Sequence, residues 1–317
     1  MYDTLPKQFS LKAFGGISMS SKKQRGGFRL PALTAIIVCL ILFFVYFLFF
    51  TEHGSLPVYT QPLESQTAEI HVIDVGQGDS ILLRSGDTDI LIDAGPNSSE
   101  DKLISYLKGL DIKKLDMLVL THPHEDHIGG ADGVVQNFEI GTLLMPDTVS
   151  GSKTFEKLLD ALEAAALEVT VPKRGDIFVF GDFTFTVLAP DSKTYKETNN
   201  YSIVLRADYG DTAFMLTGDA EALSESEMLE YFTVSELDCD LLKVGHHGSS
   251  TSSSETFINA VSPELAAISC GADNKYGHPH PDTTARLAEA GASISRTDED
   301  GNLVYVSDGK RIKLKEY

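Results

Sequence analysis

Thr121-His122-Pro123-His124-Glu125-Asp126-His127-Ile128-Gly129-Gly130 follows directly on the apolar run Met117-Leu118-Val119-Leu120. A short apolar run bounded by polar residues predicts a buried strand, so the histidines fall on the loop at its end. Of the nine histidines in the chain, three lie here within six residues, together with Asp126. Imidazole plus carboxylate is a borderline donor set suited to Zn, Mn or Fe rather than Ca or Mg. His122 and His124, two apart, can point to the same side, while the adjacent Asp126 and His127 diverge toward a second ion. A metal site is therefore expected here. A solvated polar loop does not account for this much histidine at ligand spacing.

Upstream, 70–75, 80–84 and 89–93 read as three strands joined at Gly76-Gln77-Gly78-Asp79 and Gly86-Asp87. Ser98-Ser99-Glu100-Asp101 then caps a helix carrying Leu103, Ile104, Leu107 and Leu110. Downstream, helices over 130–137 and 153–166 alternate with strands over 142–145 and 169–172. Hairpins follow over 177–188 and 201–216. The second half then alternates helix 222–232, strand 239–244, helix 255–261, strand 265–269 and helix 283–290 before terminal strands. Meander, helices, meander, helices predicts an α/β protein with two sheets between helix layers. Gly76-Gln77-Gly78 leads into a strand rather than a helix, which argues against a dinucleotide site.

With these elements in place, His122-Pro123-His124-Glu125-Asp126-His127 resembles the HxHxDH signature of the metallo-β-lactamase superfamily. Five further stretches narrow the likeness: Ile73-Asp74-Val75-Gly76-Gln77-Gly78-Asp79-Ser80, Leu91-Ile92-Asp93-Ala94-Gly95, Leu216-Thr217-Gly218-Asp219-Ala220, Lys243-Val244-Gly245-His246-His247-Gly248-Ser249 and Asn274-Lys275-Tyr276-Gly277-His278-Pro279. Together they look like the soluble domain of ComEC-type competence proteins and their stand-alone relatives, over roughly 68–315. The resemblance implies an αββα metallo-β-lactamase sandwich that binds one or two ions of Zn²⁺ or Mn²⁺.

The same likeness assigns roles. His122, His124, Asp126 and His127 are metal ligands, Asp219 bridges two ions, and one of His246 and His247, with His246 the first choice, completes the ion held by Asp126 and His127. Asp93 orients the histidine loop rather than binding metal. A third-motif histidine, usual in the superfamily, is missing, since none lies between His127 and His246. The Asn199–Val204 region, with Asn200 and Ser202, resembles the ComEC-type replacement. Asn200, Ser202, Asn274 and Asp79 are expected on the substrate side. Lys243 and His278 are expected to hold phosphate oxygens or move a proton, and Asp126 or Asp219 to orient the attacking water. Asp74, Asp79 and Asp93 also suit ordinary turns, being next to glycines or loops, and His71 and His280 read as structural.

The chain has 317 residues and a formal charge of −20, unevenly spread. Residues 1–51 carry six Lys and Arg against Asp3 alone, so the remainder holds 20 basic and 45 acidic residues. A domain near −25 has no electrostatic reason to hold a polyanion non-specifically. Residues 1–30 read as a basic cytoplasmic tail, 51–67 as a linker and 68–317 as the hydrolase domain. Between tail and linker, 31–50 is an uncharged run of twenty residues, long enough at ~1.5 Å per residue to cross a ~30 Å hydrocarbon core as a transmembrane helix. No small-residue cleavage site follows it, as a signal peptide would require. Basic residues before the span place the N-terminus in the cytoplasm and the domain outside. Cys39, Cys239 and Cys270 form no CxxC pair and no disulfide framework, so Cys239 and Cys270 are expected as buried free thiols.

The expected activity is that of a membrane-anchored phosphodiesterase or nuclease acting on a phosphodiester or nucleic acid outside the cytoplasm. An ester, lactone, β-lactam or phosphocholine ester hydrolase of the same fold is the competing enzyme reading. A non-catalytic, metal-stabilised binding module of the envelope is the third.

Overall fold

In Thr88-Asp89-Ile90-Leu91-Ile92 every apolar side chain is buried, but on two different faces. Ile90 and Ile92 pack with Phe183, Phe185 and Phe214, while Leu91 packs with Leu103 and Leu107. A strand covered on both faces reads as a continuous apolar run, and that is why this one does. The computed structural model describes residues 66–191 and 194–316. The tail (1–30), the apolar span (31–50) and all but the end of the linker (51–67) lie outside the described residues. Among the described residues no helix is long and apolar enough to cross a membrane.

One sheet contains β1 (Ala68–Val72), β2 (Ile81–Ser85), β3 (Thr88–Ile92), β4 (Lys114–Val119), β5 (Glu139–Leu144), β6 (Val169–Thr170), β14 (Leu303–Ser307) and β15 (Ile312–Leu314), in the order β15-β14-β1-β2-β3-β4-β5-β6. The other holds β7 (Ile177–Phe180), β8 (Phe183–Ala189), β9 (Val204–Tyr209), β10 (Thr212–Leu216), β11 (Leu241–Lys243), β12 (Leu265–Ile268) and β13 (Ser293–Arg296), in the order β13-β12-β11-β10-β9-β8-β7. A layer of aliphatic and aromatic side chains from both sheets fills the space between them. A second layer joins the first sheet to α1 (Glu100–Gly109), α3 (Ala131–Asn137) and α4 (Lys153–Ala164). A third joins the other sheet to α5 (Ala222–Tyr231), α7 (Glu255–Val261) and α8 (Pro281–Glu289). The architecture is the αββα sandwich, with each fully buried Leu, Ile or Phe contributing about 1.5–3 kcal/mol.

Strands β3, β4 and β5 run parallel, as do β10, β11 and β12. Loops at the carboxyl ends of such strands are where α/β proteins place ligands, and both sheets turn that edge to the same place. Three local expectations change. Ser99 does not cap α1 with its side chain; its hydroxyl donates to Val75 O at 2.5 Å and ties the helix start to the first turn. Residues 201–203 are not strand: Thr198–Tyr201 is a 3-10 turn, and β9 begins only at Val204. The short helices α6 (Val234–Leu237) and α9 (Thr297–Asp300) had too few apolar residues to show periodicity. Cys239 and Cys270 are free and buried.

Candidate metal centre

Strand β4 delivers His122 and His124 on its exit loop, and α2 (Glu125–Ile128) turns Asp126 and His127 back over the same spot. Gly78 lets the first turn approach this helix, because a Cβ there would collide with the Asp126 carbonyl. From the other sheet, β10 ends in Thr217-Gly218-Asp219 and β11 leads into Gly245-His246-His247-Gly248. Both histidines of that loop adopt left-handed backbone conformations, with φ of 49° and 55°, which costs energy for any residue but glycine. The strain lets two consecutive imidazoles face the same cavity.

The Asp219 carboxylate lies between two groups of donors. Its Oδ1 is 3.2 Å from His127 Nε2 and 3.6 Å from His247 Nε2, and the latter is 3.4 Å from Asp126 Oδ2. Its Oδ2 is 3.8 Å from His122 Nε2, which in turn lies 2.9 Å from His124 Nδ1. Two clusters thus share one carboxylate: His122, His124 and Asp219, and Asp126, His127 and His247. His247, rather than His246, meets Asp126 and His127. His246 sits on the opposite side, its Nε2 3.6 Å from Asp219 Oδ2.

Three buried atoms decide whether these residues suit a cation. His127 Nε2, His247 Nε2 and Asp219 Oδ1 make no hydrogen bond, though all point at one another. Leaving buried polar atoms unpaired is costly, and a divalent ion at their focus would satisfy all three. Burial should strip the proton from His127, but Asp219 and Asp93 overcome it and push its pKa well above the ordinary value. For His247, burial is likewise outweighed, by Asp219, Asp79 and Asp126, which raise it to about 10. Burial works against ionised Asp219 as well, yet His127 and His247 hold it well below the usual carboxylate range. His122 goes the other way, pushed down by burial and by His127. Without metal, protons on His127 and His247 balance the carboxylates; a cation can take over that charge.

Around the ligands the supporting bonds are specific. Asp93 accepts from Thr121 N at 2.8 Å and Thr121 Oγ1 at 2.7 Å, and its Oδ2 lies 2.7 Å from His127 Nδ1. It is fully buried and does not line the cavity, a position from which its carboxylate can fix the His127 ring. Ser202 Oγ lies 3.3 Å from His122 Nδ1 and accepts from Asp219 N at 3.1 Å. Asn200 Oδ1 accepts from Glu221 N and Ser224 N, bracing the segment after Asp219. Both were expected on the substrate side; both are buried behind the ligands instead, because the Thr198–Tyr201 turn directs them inward.

Lys243 and Asp79 differ most from expectation. Lys243 Nζ donates to Asp79 Oδ2 at 2.7 Å and to Val244 O at 2.9 Å, and neither side chain reaches the cavity. Asp79 Oδ1 faces His247 Nδ1 at 3.2 Å, although that nitrogen also donates to Ser269 O at 2.9 Å. The pair thus buttresses His247 rather than holding substrate.

The cavity itself, of about 680 Å³, is lined by His124, Asp126, Asp219, His246 and His247 and rimmed by Gln77, Asn199, Asn274, Lys275 and His278. Asn274 shapes the rim, accepting from His278 N at 2.9 Å while its amide donates to His278 O at 2.6 Å. His278 stacks on Tyr276, and its buried Nδ1 has no hydrogen bond. Burial and the neighbouring His247, His246 and His280 lower its pKa to about 4, so it is a neutral imidazole at pH 7. Asn199, Gln77 and Lys275 lie inside stretches that carried the family likeness, but nothing in those stretches assigned them a role.

This fold and this twin donor cluster are those of a metal-dependent hydrolase: residues 73–272 match the metallo-beta-lactamase superfamily, and the chain belongs to it. Within the superfamily it is related to competence proteins. It is 34% identical over 266 residues to ComE operon protein 3 of Bacillus subtilis (strain 168), covering 78% of this chain and 34% of that protein. Competence protein ComA of Neisseria gonorrhoeae is 31% identical over 253 residues, covering 80% and 34% respectively. The chain therefore spans about a third of the length of these relatives. The solved structure of CmlA, a diiron beta-hydroxylase from Streptomyces venezuelae, shares the fold with a TM-score of 0.53 over 78% of this chain and 54% of that one, at 12% identity.

Proposed function

We propose that the chain is a membrane-anchored, metal-dependent phosphodiesterase whose domain acts outside the cytoplasm. The observation that carries this reading is the single buried carboxylate, Asp219, set between two donor clusters beside a polar cavity. Held there, one or two divalent ions, Mn²⁺ or Zn²⁺, would supply a nucleophile at neutral pH and positive charge for the phosphoryl oxygens. His122, His124 and Asp219 would hold one, and Asp126, His127, His247 and Asp219 the other.

The chain's own residues do the rest. Asp93, Ser202 and the Lys243–Asp79 pair hold the imidazoles in place, so little reorganisation accompanies reaction. Asp126, the most accessible of the ligating carboxylates, is placed to orient the attacking water. Lys275 and neutral His278 at the rim are placed to contact the non-bridging oxygens, a role that moves from buried Lys243 to its exposed counterpart. The apolar run 31–50 anchors the chain, and the basic residues before it set the orientation.

The test is metal analysis of the full chain in detergent, followed by hydrolysis of bis(p-nitrophenyl) phosphate and single-stranded DNA. Turnover that needs added Mn²⁺ or Zn²⁺ supports the reading. A fully metallated protein inactive on both, but active on a lactone or β-lactam, would replace it. For the anchor, protease added to intact cells should digest the domain; digestion only after permeabilisation would reverse the orientation.

A further inference from the structure

One short turn serves two cavities. Asn199 of Thr198–Tyr201 lines the metal cavity, and Tyr201, two residues on, lines a second cavity of about 590 Å³. Its other walls come from Val171 and Pro172, which follow β6, from Pro190, which follows β8, and from Tyr231 at the end of α5. The histidine loop follows β4 in the sheet that β6 ends, and these strands run parallel, so both cavities open along one sheet edge. We propose that the second cavity is a subsite for one nucleotide unit of a single-stranded polynucleotide whose scissile phosphodiester lies at the metal centre. This rests on the phosphodiesterase reading above.

The lining selects a flat ring over other ligands. Arg174 lies 3.7 Å over the Tyr231 ring and is anchored by Asp191 at 2.7 Å, which makes its guanidinium a fixed planar surface. Tyr201 is held too, its hydroxyl accepting from Tyr195 N at 2.9 Å. Unstacked bases bind to aromatic rings and guanidinium planes of this kind. Lys173, exposed at the mouth, makes no ion pair among the described residues and is available to a phosphate. Asp191 is committed to Arg174, and Asp147 offsets Lys173, so the cavity is close to neutral. Such balance does not suit a bare phosphate, and the charges do not suit a lipid chain. Stacking, not Coulomb attraction, is then what holds the strand, which fits a domain whose net charge repels polyanions.

The experiment reads binding without chemistry: fluorescence anisotropy of a fluorescein-labelled hexadeoxyadenylate with the full chain in detergent and EDTA. Tyr231→Ala, at a residue 57% exposed and therefore unneeded for folding, should weaken binding about tenfold, whereas Tyr231→Phe should keep it. Lys173→Ala should weaken it less and flatten its salt dependence. Turnover of bis(p-nitrophenyl) phosphate, too small to reach the subsite, should be unchanged in all three. Equal affinity of wild type and Tyr231→Ala for the oligonucleotide, or no binding by the wild type, overturns the subsite. Loss of the phosphodiesterase reading shows separately, as no turnover of the small substrate by the metallated wild type.

Discussion

Replacing Lys243 with Met would put the buried ion pair behind His247 to a quantitative test. Lys243 Nζ lies 2.7 Å from Asp79 Oδ2, and the two side chains are 1% and 0% exposed. Burial raises the Asp79 pKa, but Lys243 and His247 outweigh it and bring it to about 2, so at neutral pH the carboxylate is an anion that depends on its cationic neighbours. Removing one partner of such a pair strands the other charge, at a cost of about 3–5 kcal/mol. We expect a loss of that size in urea denaturation of the full chain in detergent with EDTA, followed by circular dichroism. Adding Asp79→Asn should restore at least half of the loss by removing the stranded anion. A loss below about 1 kcal/mol in EDTA, or a double variant no better than the single one, would refute the assignment of Lys243 as a buttress.

Asp126→Ala removes an anionic ligand and should lower phosphodiester turnover by orders of magnitude, with the circular dichroism spectrum unchanged, since its helix adds little to the core; full activity would remove Asp126 from the mechanism. His278→Ala should be milder, no more than the ~10²–10⁴-fold typical of single acid–base or substrate-contacting groups, measured in the same assay. His247→Ala should leave about one tightly held ion by mass spectrometry of the native protein and disable the site that contains Asp126, whereas His246→Ala should leave that site intact. Because His247 is raised from 6.5 to about 10, its protonated form stabilises the metal-free fold fully below 6.5, and that contribution is lost as pH rises through 10. Metal affinity should climb across the same window, since the ion must displace that proton; a pH-independent affinity in titration calorimetry would contradict this.

What could be read from the residues alone was the part encoded locally. The apolar run before Thr121 announced a strand, and the histidines after it announced a metal loop, because periodicity and ligand spacing act over a few residues. The choice between His246 and His247 was not local. It depends on two left-handed backbone conformations and on where Asp126 arrives from the other sheet. Lys243 shows the same limit: a lysine beside a motif suggests contact with substrate, but its partner Asp79 is 164 positions away in sequence. Asn200 and Ser202 followed the motif that carries them, yet the 3-10 turn Thr198–Tyr201, which delays the strand expected from 201, turned them behind the donor clusters. Tyr231 and Arg174 belong to no motif, and only the fold brings them together.

The first strand of the domain has a late partner. β1 lies between β2 and β14, with Ala68 opposite Ser307, so the sheet that carries the histidine loop keeps an open edge until residues 303–307 are made. Contacts so distant in sequence slow folding, and an unpaired edge invites pairing with other chains in the meantime. Truncation near residue 300 should yield aggregation-prone protein rather than a slightly shortened enzyme.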